Sequence, residues 1–193
     1  MPIPRNWSEE LISEWLHLRG YLTEVGIPVG VGSGGGRREA DVVGVKINKV
    51  NEKSKLLVIC HVEVGALTGD YKRNIESLRE KFSSTRTREI ANRFKTRMAF
   101  TGRVQYGKVY VDIWATERKV ARLMDDEEIK RGKIQVWTLK KLFQEVFQVI
   151  RDWVPDYKSK TGEATLPESY WMLKLLESLR EWKLLNIDVA ASP

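Results

Sequence analysis

The sequence holds a single cysteine, Cys60, among its 193 residues. One cysteine can form neither an internal disulfide bond nor a zinc cluster. No apolar run approaches the ~18 residues that a membrane span needs, and the start MPIPRNWSEE lacks the apolar core of a signal peptide. These absences exclude disulfide-stabilised secreted domains, zinc ribbons and membrane proteins. We therefore expect a cytoplasmic protein in a reducing compartment.

Positive charge is concentrated in one part of the chain. Lys and Arg outnumber Asp and Glu by 33 to 26, which gives a formal net charge of +7 at pH 7. Eleven Lys and Arg residues and four acids lie between Asp70 and Lys108, so this segment carries the whole excess. A concentrated basic segment is typical of proteins that bind a polyanion, and we expect nucleic acid as the partner. The alternative is a solvated helix face.

Hydrophobic periodicity predicts an α/β domain. Apolar residues at helical spacing predict a first helix over 8–19, with Asn6 as its cap and Glu9 as the capping-box partner. The order of elements is αβββαβ followed by αβα, which predicts a mixed sheet flanked by helices. The later predicted elements are an extended segment over 21–31, strands over 40–47, 56–64, 108–115 and 134–137, and helices over 71–82, 89–95, 117–124 and 139–153.

The chain divides into an α/β domain over residues 1–154 and a C-terminal helical extension over 155–193. Residues 155–167 are polar and indicate a linker. A last helix, capped by Thr165 with Glu168 as box partner, carries an apolar stripe. We expect the stripe to dock on its own domain, and a homodimer contact is the alternative. The stripe consists of Met172, Leu175, Leu176, Leu179 and Trp182.

A glycine cluster over residues 30–36 contains the formal pattern GxGxxG. A dinucleotide-binding fold needs a helix to begin there, whereas a strand pattern follows here, so we exclude that function. We expect a loop at which Ser33, Arg37 and Arg38 contact DNA phosphates. The alternative is a hairpin tip without a ligand.

Two acids, Asp41 and Glu63, each lie within a hydrophobic strand pattern. Carboxylates are costly to bury unless they are paired or bound to a cation. If adjacent strands bring the two together, their oxygens form a site of the size that Mg²⁺ takes. The alternative for each acid is an edge-strand charge or a salt bridge to an arginine.

This arrangement resembles the PD-(D/E)XK nuclease superfamily, whose restriction endonuclease-like core has the order αβββαβ. The tripeptide Glu39-Ala-Asp41 stands where the PD pair would be, and Glu63-Val-Gly65 stands where the (D/E)XK tripeptide would be. The opening helix and the Gly/Ser loop look most like archaeal Holliday junction resolvases, and the resemblance covers roughly residues 8–115. It implies an endonuclease that hydrolyses DNA with Mg²⁺ or Mn²⁺ held by Asp41 and Glu63.

The family's lysine is missing, because Gly65 occupies its place. In some relatives this lysine comes from another element. Lys72, early in the following helix, is our candidate for both catalysis and DNA contact, with Arg73 beside it as a further DNA contact. Lys46 and Lys81 remain as alternatives for the catalytic role.

The resemblance also implies a third acid on the first helix. Glu9 is our candidate, Glu10 is the second choice, and Glu14 lies on the opposite border of the apolar face. His61 shares the face of Glu63, where it either polarises water or is a core residue.

Three functions are consistent with these observations. The first is a metal-dependent DNA endonuclease, and the second is a non-catalytic nucleic-acid-binding module on the same fold, which Gly65 favours. A structural or interaction protein that uses the C-terminal stripe is a third.

Overall fold

A five-stranded mixed sheet forms the centre of the computed structural model, which describes residues 6–31, 37–51, 54–152 and 166–185. The strands are β1 (Leu22–Val31), β2 (Arg37–Asn51), β3 (Ser54–Gly65), β4 (Arg103–Asp112) and β5 (Ile134–Thr138). The helices are α1 (Trp7–Leu18), α2 (Tyr71–Lys81), α3 (Ser84–Arg97), α4 (Glu117–Met124), α5 (Glu127–Gly132), α6 (Leu139–Asp152) and α7 (Trp171–Glu181). The predicted α/β class, with a mixed sheet flanked by helices, is confirmed. None of the described helices is both long enough and apolar enough to cross a membrane.

The strands lie side by side in chain order, and their direction pattern changes once. β1, β2 and β3 are antiparallel neighbours, whereas β3, β4 and β5 are parallel. A parallel connection must cross from one end of the sheet to the other, and helices make that crossing. α2 and α3 connect β3 to β4, and α4 and α5 connect β4 to β5. The carboxyl ends of β3, β4 and β5 therefore lie at the same edge of the sheet.

Alternating side chains along β3 contribute to cores on opposite faces of the sheet. Val62 belongs to the same buried cluster as Trp15 of α1. Ile59 belongs to a second cluster, together with Ile90 of α3. Because side chains alternate along a strand, Glu63 lies on the same face as Ile59, under α2 and α3.

The start of α1 matches the sequence prediction. The side-chain oxygen of Asn6 accepts hydrogen bonds from the backbone N–H groups of Ser8 at 3.1 Å and Glu9 at 3.0 Å. The side-chain nitrogen of Asn6 donates to Oε1 of Glu9 at 2.7 Å. The predicted cap and its partner are therefore confirmed.

Several elements differ from the predicted ones. α3 begins at Ser84, earlier than the predicted residue 89, with Ser83 at its N-cap. β4 ends at Asp112 rather than at 115, because the Asp112 side chain accepts from the backbone N–H of Trp114 and turns the chain. The six-residue helix α5 was not predicted, because it is too short for a helical period to show in the sequence.

The N-terminus of α7 is capped by a residue from the other end of the chain. Thr165, the predicted cap, lies outside the described residues, and no side chain caps the helix from the N-cap position itself. Instead, the carboxylate of Glu14 accepts from the backbone N–H groups of Met172 at 3.2 Å and Leu173 at 2.8 Å. Because Glu14 is buried within α1, these bonds fix α7 against the domain.

The apolar stripe of α7 docks on its own domain only in part. Met172 and Leu176 pack into the core next to α1 and α6, together with Leu173, which the predicted stripe did not include. Leu175 is 42% exposed and Trp182 is 65% exposed, so these two predicted members face outward. The buried face of the helix is therefore rotated from the predicted one.

We expect the substitution Glu14→Gln to destabilise the protein by about 1–3 kcal/mol, because glutamine offers only one acceptor oxygen and leaves one buried N–H of α7 unpaired. Urea unfolding followed by circular dichroism measures this loss. Glu10→Gln on the same helix is the control and should change the free energy of unfolding by much less. Equal stability of the two variants would contradict a capping role for Glu14.

Candidate active site

The hairpin of β2 and β3 brings Asp41 and Glu63 together. Val42 pairs with Val62 in the antiparallel register, so the next pair along is Asp41 and Glu63, on one face of the sheet. Oδ2 of Asp41 accepts a hydrogen bond from the backbone N–H of Val64 at 2.7 Å. The two acids singled out in the sequence therefore lie beside each other at the same edge of the sheet.

Asp41 is a carboxylate whose negative charge is poorly compensated. Burial is the largest cause that raises its pKa, to about 6, and the negative charge of Glu63 is the next. The N–H of Val64 and the charge of Lys81 lower the pKa by less, and Glu9 raises it further. At neutral pH Asp41 is therefore mostly ionised at a cost in stability, and a bound cation would remove that cost.

Glu63 has the opposite electrostatic environment. Its side chain is fully buried, and it accepts hydrogen bonds from Nε2 of His61 at 2.8 Å and Nζ of Lys81 at 2.6 Å. A guanidinium nitrogen of Arg86 lies 3.5 Å from its Oε1. Burial would raise the pKa of Glu63, but the hydrogen bond from His61 and the charge of Lys81 outweigh burial and hold the pKa below its usual value. Glu63 is therefore ionised at neutral pH.

His61 orients Glu63 from within the sheet. The ring is fully buried, and burial is the largest of the effects that leave its pKa lowered, so it is neutral at pH 7. Because an ionised carboxylate only accepts, Nε2 of His61 carries the proton that bonds to Glu63. Nδ1 then accepts from the hydroxyl group of Tyr106 at 3.1 Å. Of the two interpretations of His61, the structure supports the core residue.

The lysine that meets Glu63 is Lys81, at the end of α2. Lys72, the candidate from the sequence, is exposed on the same helix. The two are nine residues apart, and at about 100° per residue they project on opposite sides of α2. The structure therefore brings together Glu63 and Lys81 but not Glu63 and Lys72, because the buried face of α2 is set by docking on the sheet.

The remaining basic candidates lie elsewhere or outside the described residues. Nζ of Lys46 donates to the backbone oxygen of Arg19 at 3.3 Å, on a different part of the sheet. Arg73 is exposed and lies 3.7 Å from Asp70. Ser33 and the side chains of Arg37 and Arg38 lie outside the described residues, so their predicted DNA contacts stay predictions.

Tyr110 explains why residue 65 is a glycine. A Cβ atom at Gly65 would lie 2.9 Å from the hydroxyl oxygen of Tyr110, closer than real Cβ atoms approach. Tyr110 is paired with Glu63 in the parallel register and is only 2% exposed, so it has little room to move. Any side chain at position 65, a lysine included, would compete with Tyr110 for the same space.

Asp112 is a third acid at this edge that the sequence analysis did not single out. It lies opposite Gly65 at the end of β4, is fully buried, and accepts from Nζ of Lys119 at 2.9 Å. Burial, followed by the charges of Asp112, Asp41 and Glu63, raises the pKa of Tyr110, so the phenol lies among all three carboxylates. An acid in a strand of alternating apolar residues was the signal that identified Asp41, and Asp112 carries the same signal.

Of the three helix acids, Glu9 is the one near Asp41. It is buried at the start of α1, and its charge contributes to the raised pKa of Asp41. Glu14, in contrast, binds the backbone of α7. Glu9 therefore combines its capping contact with an electrostatic effect on Asp41.

Asp41 and Glu63 offer the type of ligand atom that a hard divalent cation prefers. Carboxylate oxygens are the ligands that Mg²⁺ prefers. Within the described residues, Oδ1 of Asp41 has no hydrogen bond, whereas both oxygens of Glu63 have one. In the same part of the chain no three His, Cys, Asp or Glu side chains form a group able to hold a metal ion. Asp41 would therefore be the main ligand, and an ion would share Glu63 with Lys81.

Comparisons with protein-family models, with curated proteins and with solved structures found no match.

We expect Asp41→Asn to stabilise the metal-free protein above pH 6 by about 2–3 kcal/mol. The folded state releases the Asp41 proton near pH 6 and the unfolded state near pH 4, so the wild type loses stability as pH rises through this window. Asparagine keeps an acceptor for the N–H of Val64 and has no charge to lose. Urea unfolding in EDTA at pH values from 4 to 8 measures the difference.

The control for this experiment is Asp125→Asn, because Asp125 is 85% exposed at its side chain. The control should follow the wild-type pH profile. An Asp41→Asn profile parallel to the wild type between pH 4 and 8 would contradict the raised pKa.

We expect Gly65→Ala to lower the free energy of unfolding by about 1–3 kcal/mol, since the new methyl group overpacks against the Tyr110 hydroxyl. In the Tyr110→Phe background the same change should cost much less, because the next atom of the ring, Cζ, is 3.9 Å away. Urea unfolding of all four proteins gives the coupling free energy. Strict additivity would show that the hydroxyl group is not the obstacle.

Proposed function

We propose that this protein is a metal-dependent DNA endonuclease with a restriction endonuclease-like core. The observation that carries the proposal is the meeting of Asp41, Glu63 and Lys81 at one edge of the sheet. Two carboxylates on adjacent strands and one ammonium group are the side chains that phosphodiester hydrolysis by this kind of nuclease needs. The order of elements agrees with the αβββαβ core of that superfamily. It consists of α1, the antiparallel strands β1 to β3, the crossing helices and the parallel strand β4.

The two acids share one task in this proposal but differ in how their oxygens are used. Asp41 and Glu63 would hold Mg²⁺ or Mn²⁺, which when bound supplies a nucleophilic hydroxide and neutralises charge on the phosphate. His61 holds Glu63 in position as a neutral hydrogen-bond donor. Asp41 supplies an oxygen that no hydrogen bond within the described residues uses.

Lys81 takes the place of the missing motif lysine. Its side chain is 30% exposed, and its ammonium group lies 2.6 Å from the buried carboxylate of Glu63. A lysine in this position stabilises negative charge that develops on a phosphate oxygen. Arg86 also faces Glu63, so Glu63 keeps a cationic neighbour while Lys81 contacts the substrate.

Exposed basic side chains on the two helices that connect β3 to β4 would bind the DNA backbone. Lys72 and Arg73 are exposed at the start of α2, and Arg88 is exposed on α3. Such contacts release counterions from phosphates, so affinity should fall steeply with salt. Magnesium-dependent cleavage and salt-sensitive binding are therefore the two activities that we propose for this chain.

The second candidate function is a nucleic-acid-binding module without catalysis. It is favoured by the state of Glu63, since both of its carboxylate oxygens already accept hydrogen bonds from His61 and Lys81. In that case the acidic site holds α2 and α3 on the sheet, and the basic residues alone act on DNA.

We expect labelled linear or four-way-junction DNA to be cut in the presence of Mg²⁺ or Mn²⁺, and not in EDTA. Asp41→Asn and Glu63→Gln should each abolish cleavage and leave DNA binding, measured by fluorescence anisotropy, within about threefold. Lys81→Met should slow cleavage about 100-fold or more, within the range seen when a charge-stabilising group is lost. Because Asp41→Asn should be more stable than the wild type, its loss of cleavage cannot come from unfolding.

The matched control is Lys55→Met, an exposed lysine at the opposite end of β3, which should cut at the wild-type rate. A larger loss in Lys72→Met than in Lys81→Met would return the catalytic role to Lys72. Cleavage that persists in Asp41→Asn would refute the mechanism. A wild-type protein that binds DNA but cuts none with either metal is the non-catalytic module.

A further inference from the structure

A second cluster of positive charge lies beside the candidate site, in a cavity of 390 Å³ between α2 and α4. Arg118, Lys119 and Arg122 of α4 line it, together with Tyr71 and Asn74 of α2, and none of the described acids is part of its lining. Lys119 connects the cavity to the acidic edge, because its Nζ bonds to Asp112. These arginines lie outside the basic segment between residues 70 and 108 that the sequence analysis identified.

The two arginines of the cavity carry charges that no acid neutralises within the described residues. Arg118 and Arg122 are four residues apart on one helix, where like charges repel. Within the described residues neither guanidinium group has a hydrogen bond or an ion pair, and Arg122 only lies over the ring of Tyr71 at 4.4 Å. In contrast, Arg79 pairs with Glu128 at 2.8 Å.

The acids around the cavity are already engaged. Each of these acids would have to give up an existing contact before it could pair with Arg118 or Arg122. The contacts in question are those of Asp112 with Lys119, Asp126 with the Tyr71 hydroxyl group, Asp70 with Arg73, Asp125 with Lys130 and Glu117 with Lys140.

We propose that this cavity binds a phosphate group of the nucleic-acid strand that occupies the acidic site. Two guanidinium groups that share one cavity can donate several parallel hydrogen bonds to the oxygens of one phosphate, which suits arginine better than any other side chain. Lys119 neutralises Asp112, so the acidic edge does not repel the phosphate from this side. The proposal rests on DNA as the substrate, but it does not depend on cleavage. The phosphate is either an internal diester or a terminal monoester of the strand.

The test compares Arg118→Gln/Arg122→Gln with a control that removes the same charge at the other end of the strands, Lys49→Gln/Lys55→Gln, two exposed lysines outside the basic segment. The probes are labelled oligonucleotides with a 5′-phosphate or a 5′-hydroxyl group, and anisotropy is measured over a range of salt in EDTA. We expect the cavity variant to bind about tenfold more weakly and to reduce the salt slope by about one to two. The control should change affinity less than threefold.

The two probes identify the source of the phosphate. A loss confined to the 5′-phosphorylated strand assigns a terminal monoester to the cavity, and an equal loss on both strands assigns a diester. Either result supports the proposal. Equal effects of the cavity variant and the control would overturn it.

A separate measurement keeps this test apart from the proposed nuclease activity. The side-chain Nε–H signals of Arg118 and Arg122 should shift in nitrogen-15 NMR spectra when the oligonucleotide is added, whereas that of the ion-paired Arg79 should not. Cleavage without these shifts would overturn the cavity proposal and leave the endonuclease proposal standing. Shifts without cleavage would support the cavity and favour the non-catalytic module.

Discussion

The buried negative charge of Glu63 is the constraint on which this part of the structure depends. A carboxylate with no exposed surface needs hydrogen bonds and positive charge around it, because an isolated buried ion is very costly. Lys81 and Arg86 supply the charge, and they come from two different helices. They are five residues apart, and on one continuous helix their side chains would project about 140° from each other. The break between α2 and α3 lets both reach the same carboxylate.

Asp41 and Glu63 are neighbours whose pKa values are moved in opposite directions. Glu63 is compensated by His61 and Lys81, whereas Asp41 has one backbone hydrogen bond and a negative neighbour. Paired carboxylates with separated pKa values are a common way to give two like groups different tasks. The unfavourable charge of Asp41 lowers stability, and such a cost is expected at the cation site that we propose. Within the acidic pair, Glu63 is thus held by its neighbours, whereas Asp41 keeps an oxygen that a ligand could use.

The acidic edge extends beyond this pair along the carboxyl ends of the parallel strands. Tyr110 separates Glu63 from Asp112 and occupies the space that a side chain at position 65 would need. Lys119 neutralises Asp112, and beyond it lie Arg118 and Arg122 of α4, which have no ion pair within the described residues. Negative and positive charge therefore alternate across one edge of the sheet. In the function that we propose, the acidic pair would hold a cation at the bond to be cut, and the arginines would donate to a neighbouring phosphate of the same strand.

The sequence by itself determined the features that depend on local periodicity. Alternation along β3 is sufficient to put His61 and Glu63 on one face, whereas the pairing of Asp41 with Glu63 depends on the register of β2 against β3. The spacing of Asn6 and Glu9 is sufficient to predict the cap of α1. Only the tertiary structure decided which lysine meets Glu63, because Lys72 and Lys81 both lie on α2 and docking selects between its opposite sides. It also decided that Glu14 binds a backbone N–H of Met172, a residue 158 positions away. Local spacing determines the face on which a side chain lies, but its partners depend on strand register and on how helices dock, which no local pattern encodes.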